Sequence, residues 1–173
     1  MYKLTVKLDE LKPTISRTVC VPEDITFIKL NDILSTVFDF SSMHLSVFNF
    51  PGLNAPLWDY KRCYPDSAAM DMNDILISEY LSLFKKFKWT YDLGHSYEFT
   101  IKVTKTKADK NYPFVEAFEC ECNPLEDCSP YDFEEMMYCY LNNQKYFDYL
   151  PDFEMEIFDI KKVNRNLKNF FKP

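Results

Sequence analysis

The chain predicts an α+β fold: a curved antiparallel β-sheet built from hairpins and packed against several α-helices, with residues 1–173 forming one compact domain. Three observations carry that prediction. Phe87, Trp89 and Tyr91 share one parity before a polar turn, and Tyr97, Phe99, Ile101 and Val103 share one parity after it. That is the pattern of two half-buried strands joined as a hairpin. Several other segments place apolar residues at helical spacing instead. Strands and helices are interleaved, but hairpins demand antiparallel pairing, which excludes a doubly wound parallel sheet.

Taken in order, Tyr2, Leu4, Val6 and Leu8 alternate with Lys3, Thr5 and Lys7, predicting a half-buried strand over 2–8. Leu11-Lys12-Pro13 turns the chain into a second strand carrying Ile15, Arg17, Val19 and Val21. Thr26 is the expected N-cap of a helix near 26–38, whose buried face is Phe27, Leu30, Ile33, Leu34, Val37 and Phe38. Leu45 to Phe50 reads as a third strand, closed by Pro51-Gly52, and 51–73 as a long loop. Asn73 or Asp74 is positioned to cap a helix over about 75–84, followed by the hairpin at about 86–105. Phe114 to Cys120 gives another strand. Ser129-Pro130-Tyr131-Asp132 is a helix start: serine caps, proline sits where no amide hydrogen is needed, and the aspartate favours the positive helix end. A last helix over about 159–171 follows from Ile160, Val163, Leu167 and Phe171.

Composition narrows the function. Aromatic residues make up 17% of the chain, including 16 Phe and 12 Tyr, so the core is expected to be aromatic-rich with tyrosine hydroxyls at its rim. Only two glycines are present, so few left-handed turns are expected, with Pro, Asn and Asp shaping the loops. A net charge of −7 disfavours non-specific nucleic-acid binding, which relies on basic side chains displacing counterions. Lysines 85, 86, 88, 102, 105, 107 and 110 nevertheless cluster in or beside the hairpin, where a solvated sheet face accounts for them. The first residues alternate like a strand rather than forming an apolar signal core, and no apolar run reaches the ~18 residues of a membrane helix. With six cysteines, a reducing cytoplasm without disulfides and without a membrane partner is the expected setting.

The candidate site is the hairpin tip, Tyr91, Asp92, His95 and Glu98, together with Glu126 and Asp127 if the loop before the 130–141 helix packs nearby. Carboxylates with a histidine suit a divalent cation or general acid–base work. The structural alternative is that Asp92 accepts hydrogen bonds from turn amides while Glu126-Asp127 brace a loop. Cys120, Cys122 and Cys128 offer three thiols, with Cys63 or His44 as a fourth zinc ligand, but the spacing is not that of a zinc knuckle, and free thiols are the default. Arg17 reads as a structural ion-pair donor and His44 as a satisfied histidine at a strand start; both remain binding candidates. No serine elbow, Cys/His arrangement or phosphate-cradling loop is present, and no cofactor is expected. Trp89, Tyr91 and Tyr97 beside the lysines would suit base stacking, but they share the parity of core positions.

A series of short motifs resembles the plasmid pRiA4b ORF-3-like family over nearly the whole length. They are Leu11-Lys12-Pro13-Thr14-Ile15-Ser16-Arg17, Val21-Pro22-Glu23-Asp24-Ile25-Thr26-Phe27, His44-Leu45 with Phe48, and Tyr91-Asp92-Leu93-Gly94-His95-Ser96-Tyr97. Tyr112-Pro113, Pro124-Leu125-Glu126-Asp127-Cys128, and Phe158-Asp159 with Asn164 and Leu167 follow in order. The resemblance implies a compact α+β domain and a plasmid or mobile-element context, and supplies no biochemical mechanism. This chain departs from the family pattern at Ser16 (usually Trp), Asn31 (often His), His95 (Asp), Tyr97 (Trp) and Phe99 (His). Two positions thereby lose ionisable groups, so a non-enzymatic binding domain for a protein or small ligand is the leading expectation. A metal-dependent or acid–base enzyme and a nucleic-acid-associated protein are the alternatives.

Overall fold

The computed structural model describes residues 1–59, 71–107, 110–144 and 155–171. Among the described residues seven strands form one open sheet: β1 (Tyr2–Leu8), β2 (Ser16–Val21), β3 (Ser46–Asn49), β4 (Leu57–Trp58), β5 (Lys86–Tyr91), β6 (Tyr97–Lys105) and β7 (Phe114–Glu119). The spatial order is β4-β3-β5-β6-β1-β2-β7, and every neighbouring pair is antiparallel. Among the described residues four helices accompany it: α1 (Phe27–Phe38), α2 (Ile77–Leu81), α3 (Pro130–Leu141) and α4 (Ile160–Phe170). The α+β prediction stands.

The period-two pattern sets the two faces of the sheet. Tyr2, Leu4, Val6 and Leu8 of β1, Phe87, Trp89 and Tyr91 of β5, and Tyr97, Phe99, Ile101 and Val103 of β6 are buried on one face. The register confirms the hairpin, with Tyr91 opposite Tyr97 and Trp89 opposite Phe99. α1 lies over this face, bringing Phe38 to 4.5 Å from the Phe99 ring and Phe27 to 5.1 Å from Phe48. Lys86, Lys88 and Lys102 are exposed on the opposite face, as expected for a solvated sheet surface. Trp89, Tyr91 and Tyr97 are at most 1% exposed, which removes them as a base-stacking platform.

Several local expectations need correction. Thr26 occupies the N-cap position of α1 without its side chain capping anything. The first amides of α1 bond instead to the following loop, Phe27 N–H to the Ile75 carbonyl and Ile28 N–H to that of Met72, both at 3.0 Å. α2 starts later than either proposed cap: its N-cap is Leu76, whose N–H donates to the Glu79 carboxylate at 3.2 Å. β4 lies inside the stretch read as loop; two residues pairing with Val47 and Phe48 are too few to show a period. Residues 60–70 of that stretch lie outside the described residues.

Left-handed backbone is not scarce. Glu10, Asp39, Ser42, Asp92, Ser96, Cys120, Asp127 and Asn143 all have positive φ. Short polar side chains that bond locally tolerate this region, so Asp, Asn and Ser do here what glycine does elsewhere. Gly94 in the hairpin tip is not among them. What favours glycine there is space, since a Cβ would lie 3.3 Å from Asp92 Oδ1 and the carboxylate would have to shift by a few tenths of an ångström.

The final two helices follow the expected chemistry. Ser129 Oγ accepts the Asp132 N–H at 3.1 Å to start α3. Asp159 Oδ1 accepts the N–H groups of Lys161 and Lys162 to start α4. Asn164 then docks α4 against β7 by bonding both backbone groups of Val115, at 2.6 and 3.0 Å. No helix among the described residues is long and apolar enough to cross a membrane.

Candidate functional site at the hairpin tip

The hairpin tip and the 124–128 loop meet, and two core tyrosines bring them together. Tyr91 and Tyr97 bury their rings beneath Phe40 and extend their hydroxyls to the loop. The Tyr91 hydroxyl donates to the Glu126 carboxylate, and the Tyr97 hydroxyl donates to the Leu125 carbonyl at 3.1 Å. Glu126 also accepts the Ser41 N–H at 2.8 Å, tying in the segment after α1. Burial, reinforced by Glu126, raises the Tyr91 phenol well above its ordinary value, and burial does the same for Tyr97.

Asp92 is the centre of the cluster. Its backbone is left-handed, and its carboxylate, though only 6% of the residue is exposed, faces both histidines of the chain. Oδ2 lies 2.8 Å from His95 Nδ1; Oδ1 accepts the Gly94 N–H at 3.1 Å and lies 3.6 Å from His44 Nδ1. Burial alone would raise the Asp92 pKa, but the His95 imidazole, the Gly94 and His95 amides and the nearby His44 hold it below the ordinary carboxylate value. On its other side, His44 Nε2 is 3.1 Å from Asp127 Oδ1, and Asp127 itself is 77% exposed. The imidazole of His44 thus sits between a buried and a solvent-facing carboxylate, packed edge-on against Tyr91.

Among the described residues, His44, Asp92 and Asp127 form the one group whose donor atoms all lie within 4.8 Å of one another. That span matches an ion bound at about 2.0–2.6 Å by each donor. Three separated parts of the chain contribute: the loop before β3, the hairpin turn and the loop before α3.

The remaining candidates go elsewhere. Glu98 points to the exposed face, where it pairs with Lys88 at 2.5 Å. Arg17 is fully buried and meets no carboxylate among the described residues, which corrects its reading as an ion-pair donor. Its guanidinium donates to the carbonyls of Ser16, Glu119, Cys120 and Cys122 and to Asn123 Oδ1, at 2.9–3.3 Å. It also stacks 4.0 Å over the Phe158 ring. Cys120, Cys122 and Cys128 do not gather into a ligand set with one another or with His44, and Cys63 lies outside the described residues. His44 proves to be part of the tip rather than a separate strand-start histidine. The available hint was that a chain with two histidines places each beside a short polar motif. Ser41 was missed, because its backbone amide contributes and carries no side-chain signature.

Comparison with known proteins agrees with this architecture. An uncharacterised protein, y4hQ of Sinorhizobium fredii, is 26% identical over 146 residues, spanning 78% of this chain and 70% of its own length. A crystal structure of a protein of unknown function, MM3350 from Methanosarcina mazei, shares the fold with a TM-score of 0.72. It is 24% identical, and the match covers 94% of this chain and 96% of that one. The family described as plasmid pRiA4b ORF-3-like protein matches residues 1–167, in keeping with the motifs that run from the first turn through α4. With its sheet order, its tyrosine-held tip and that match in place, the chain belongs to the plasmid pRiA4b ORF-3-like family.

Proposed function

We propose that the protein is a binding domain whose ligand is a divalent transition-metal ion, held by His44, Asp92 and Asp127 between the hairpin tip and the loop before α3. The observation that carries this reading is the convergence of one imidazole and two carboxylates within 4.8 Å. A mixed nitrogen and oxygen set favours zinc or manganese over magnesium, which prefers oxygen and retains its waters. His95 orients Asp92 from behind, at 2.8 Å, and Glu126 with Tyr91 holds the loop that delivers Asp127. The sequence carries no serine elbow or Cys/His arrangement, which supports binding over catalysis. Six cysteines, five of which are free thiols among the described residues, support a reducing cytoplasm. The plasmid in the family's description supports a mobile-gene setting.

Isothermal titration of chelator-treated protein tests the reading. Zinc or manganese should bind once per chain, with a dissociation constant on the order of micromolar, and magnesium more weakly. His44→Ala and Asp127→Asn should each weaken binding about tenfold or more. Absence of saturable binding by any of the three ions up to about 1 mM (about −4 kcal/mol) overturns it.

A further inference from the structure

Away from the hairpin tip, the segment after β7 holds a second chemically distinctive site. Arg17 buries a positive charge completely, and its Nε has no hydrogen-bond partner among the described residues. A buried cation calls for an anion. The surrounding acceptors are neutral: the guanidinium bonds the Cys120 and Cys122 carbonyls, both at 3.0 Å, and touches no carboxylate among the described residues. The ionisable groups whose charge favours its protonated form are the thiols of Cys120 and Cys122.

The two cysteines are unequal. Cys122 is 3% exposed, while Cys120 is half-buried in left-handed backbone, and its Sγ accepts the Cys122 N–H at 3.5 Å. Cys120 opens onto a cavity of about 550 Å³ walled by Pro13, Thr14, Tyr140, Leu141 and Ile157, with Glu119 and Glu121 also lining it. That volume holds a small organic molecule. The walls are largely apolar and the two charged groups are both acidic.

We propose that Cys120 is a nucleophilic thiolate that undergoes thiol–disulfide exchange with small neutral or cationic disulfides entering this cavity. The Cys120 sulfur attacks one sulfur of the disulfide, a new S–S bond forms as the old one breaks, and the departing thiolate takes a proton from water. Cys120 and one half of the disulfide end as a mixed disulfide, and the other half leaves reduced. The charged and titratable groups around Cys120 are Arg17 from β2, Cys122, Glu119 and Glu121 from its own segment, and Tyr140 from α3. Hydrogen bonding from the Cys122 side chain and amide, together with Arg17, outweighs burial and Glu121 and brings the Cys120 thiol down to about 6. The same contact and burial push Cys122 far up, so Cys122 stays protonated.

The test is the reaction of reduced full-length protein with cystamine at pH 6, followed by intact mass and fragment-ion localisation. Half of a thiol titrating near 6 is ionised there, against roughly 0.3% of an ordinary thiol, an advantage of about 150-fold. Lower basicity reduces intrinsic nucleophilicity by about 10- to 18-fold, leaving Cys120 about tenfold faster than an unstructured cysteine peptide. Cys120→Ser should abolish the fast phase. Cys122→Ala should shift the pH–rate inflection upward, and Glu121→Gln should reduce the preference for cystamine over anionic glutathione disulfide. A wild-type rate within about twofold of the reference peptide, or a fast phase that survives Cys120→Ser, overturns the proposal.

Discussion

Replacing Arg17 tests how the end of β7 is held. The side chain is fully buried, and its two terminal nitrogens organise four backbone carbonyls and the Asn123 side chain, spanning β2 and residues 119–123. The same segment is pinned from the other side by Phe158 N–H on the Glu121 carbonyl and Asn123 N–H on that of Glu156. Arg17→Met preserves most of the apolar stem and removes every donor. Each buried acceptor left unpaired costs roughly 1–3 kcal/mol, so three or four give about 3–12 kcal/mol. Relief from burying the charge offsets part of this, and the net loss should be about 3 kcal/mol or more. Arg17→Lys keeps the charge, but one ammonium cannot reach both the 119–120 carbonyls and the 122–123 acceptors. It should lose about 2 kcal/mol, since ammonium lacks the planar fork. Urea unfolding followed by circular dichroism measures both. If Arg17→Met lies within about 1 kcal/mol of the parent, the guanidinium is not what orders these carbonyls.

Asn31→Ala leaves the Trp89 indole N–H and the Ser46 hydroxyl without the oxygen they share, at 3.0 and 2.6 Å. About 2–3 kcal/mol should be lost in urea titration. Tyr91→Phe removes the hydroxyl that donates to Glu126. It should lower stability by about 1–2 kcal/mol and raise hydrogen exchange in the 124–128 loop. Asp92 has a folded pKa below its unfolded value of about 3.9. Its contribution is therefore complete above that unfolded value and fades as pH falls through the folded one. In metal-free protein, Asp92→Asn should lower stability at neutral pH and flatten the acid limb of the stability profile; an unchanged acid limb contradicts the assignment.

How much of this was legible in the sequence depends on the range of the interactions. β1, β5, β6 and α3 follow from period and caps, because alternating burial and the Ser129 cap are properties of neighbouring residues. The Thr26 cap failed because the α1 amides bond to a loop some 45 residues later, a tertiary solution invisible to local rules. The left-handed positions of the hairpin tip fall to Asp92 and Ser96, on either side of the glycine that residue type alone would favour for them. The tip residues could be nominated from their chemistry. Their meeting with Asp127 and His44 depends on tyrosine hydroxyls reaching through the core, which no spacing encodes. Arg17 was misread for the same reason: its partners are backbone carbonyls about a hundred residues away.

An anomalous difference map from crystals grown with zinc, recorded at the zinc edge, decides whether His44, Asp92 and Asp127 hold an ion. One strong peak is expected about 2.0–2.2 Å from an imidazole nitrogen of His44 and from carboxylate oxygens of Asp92 and Asp127. No peak at the hairpin tip, or zinc bound only at Cys120 and Cys122, would contradict it.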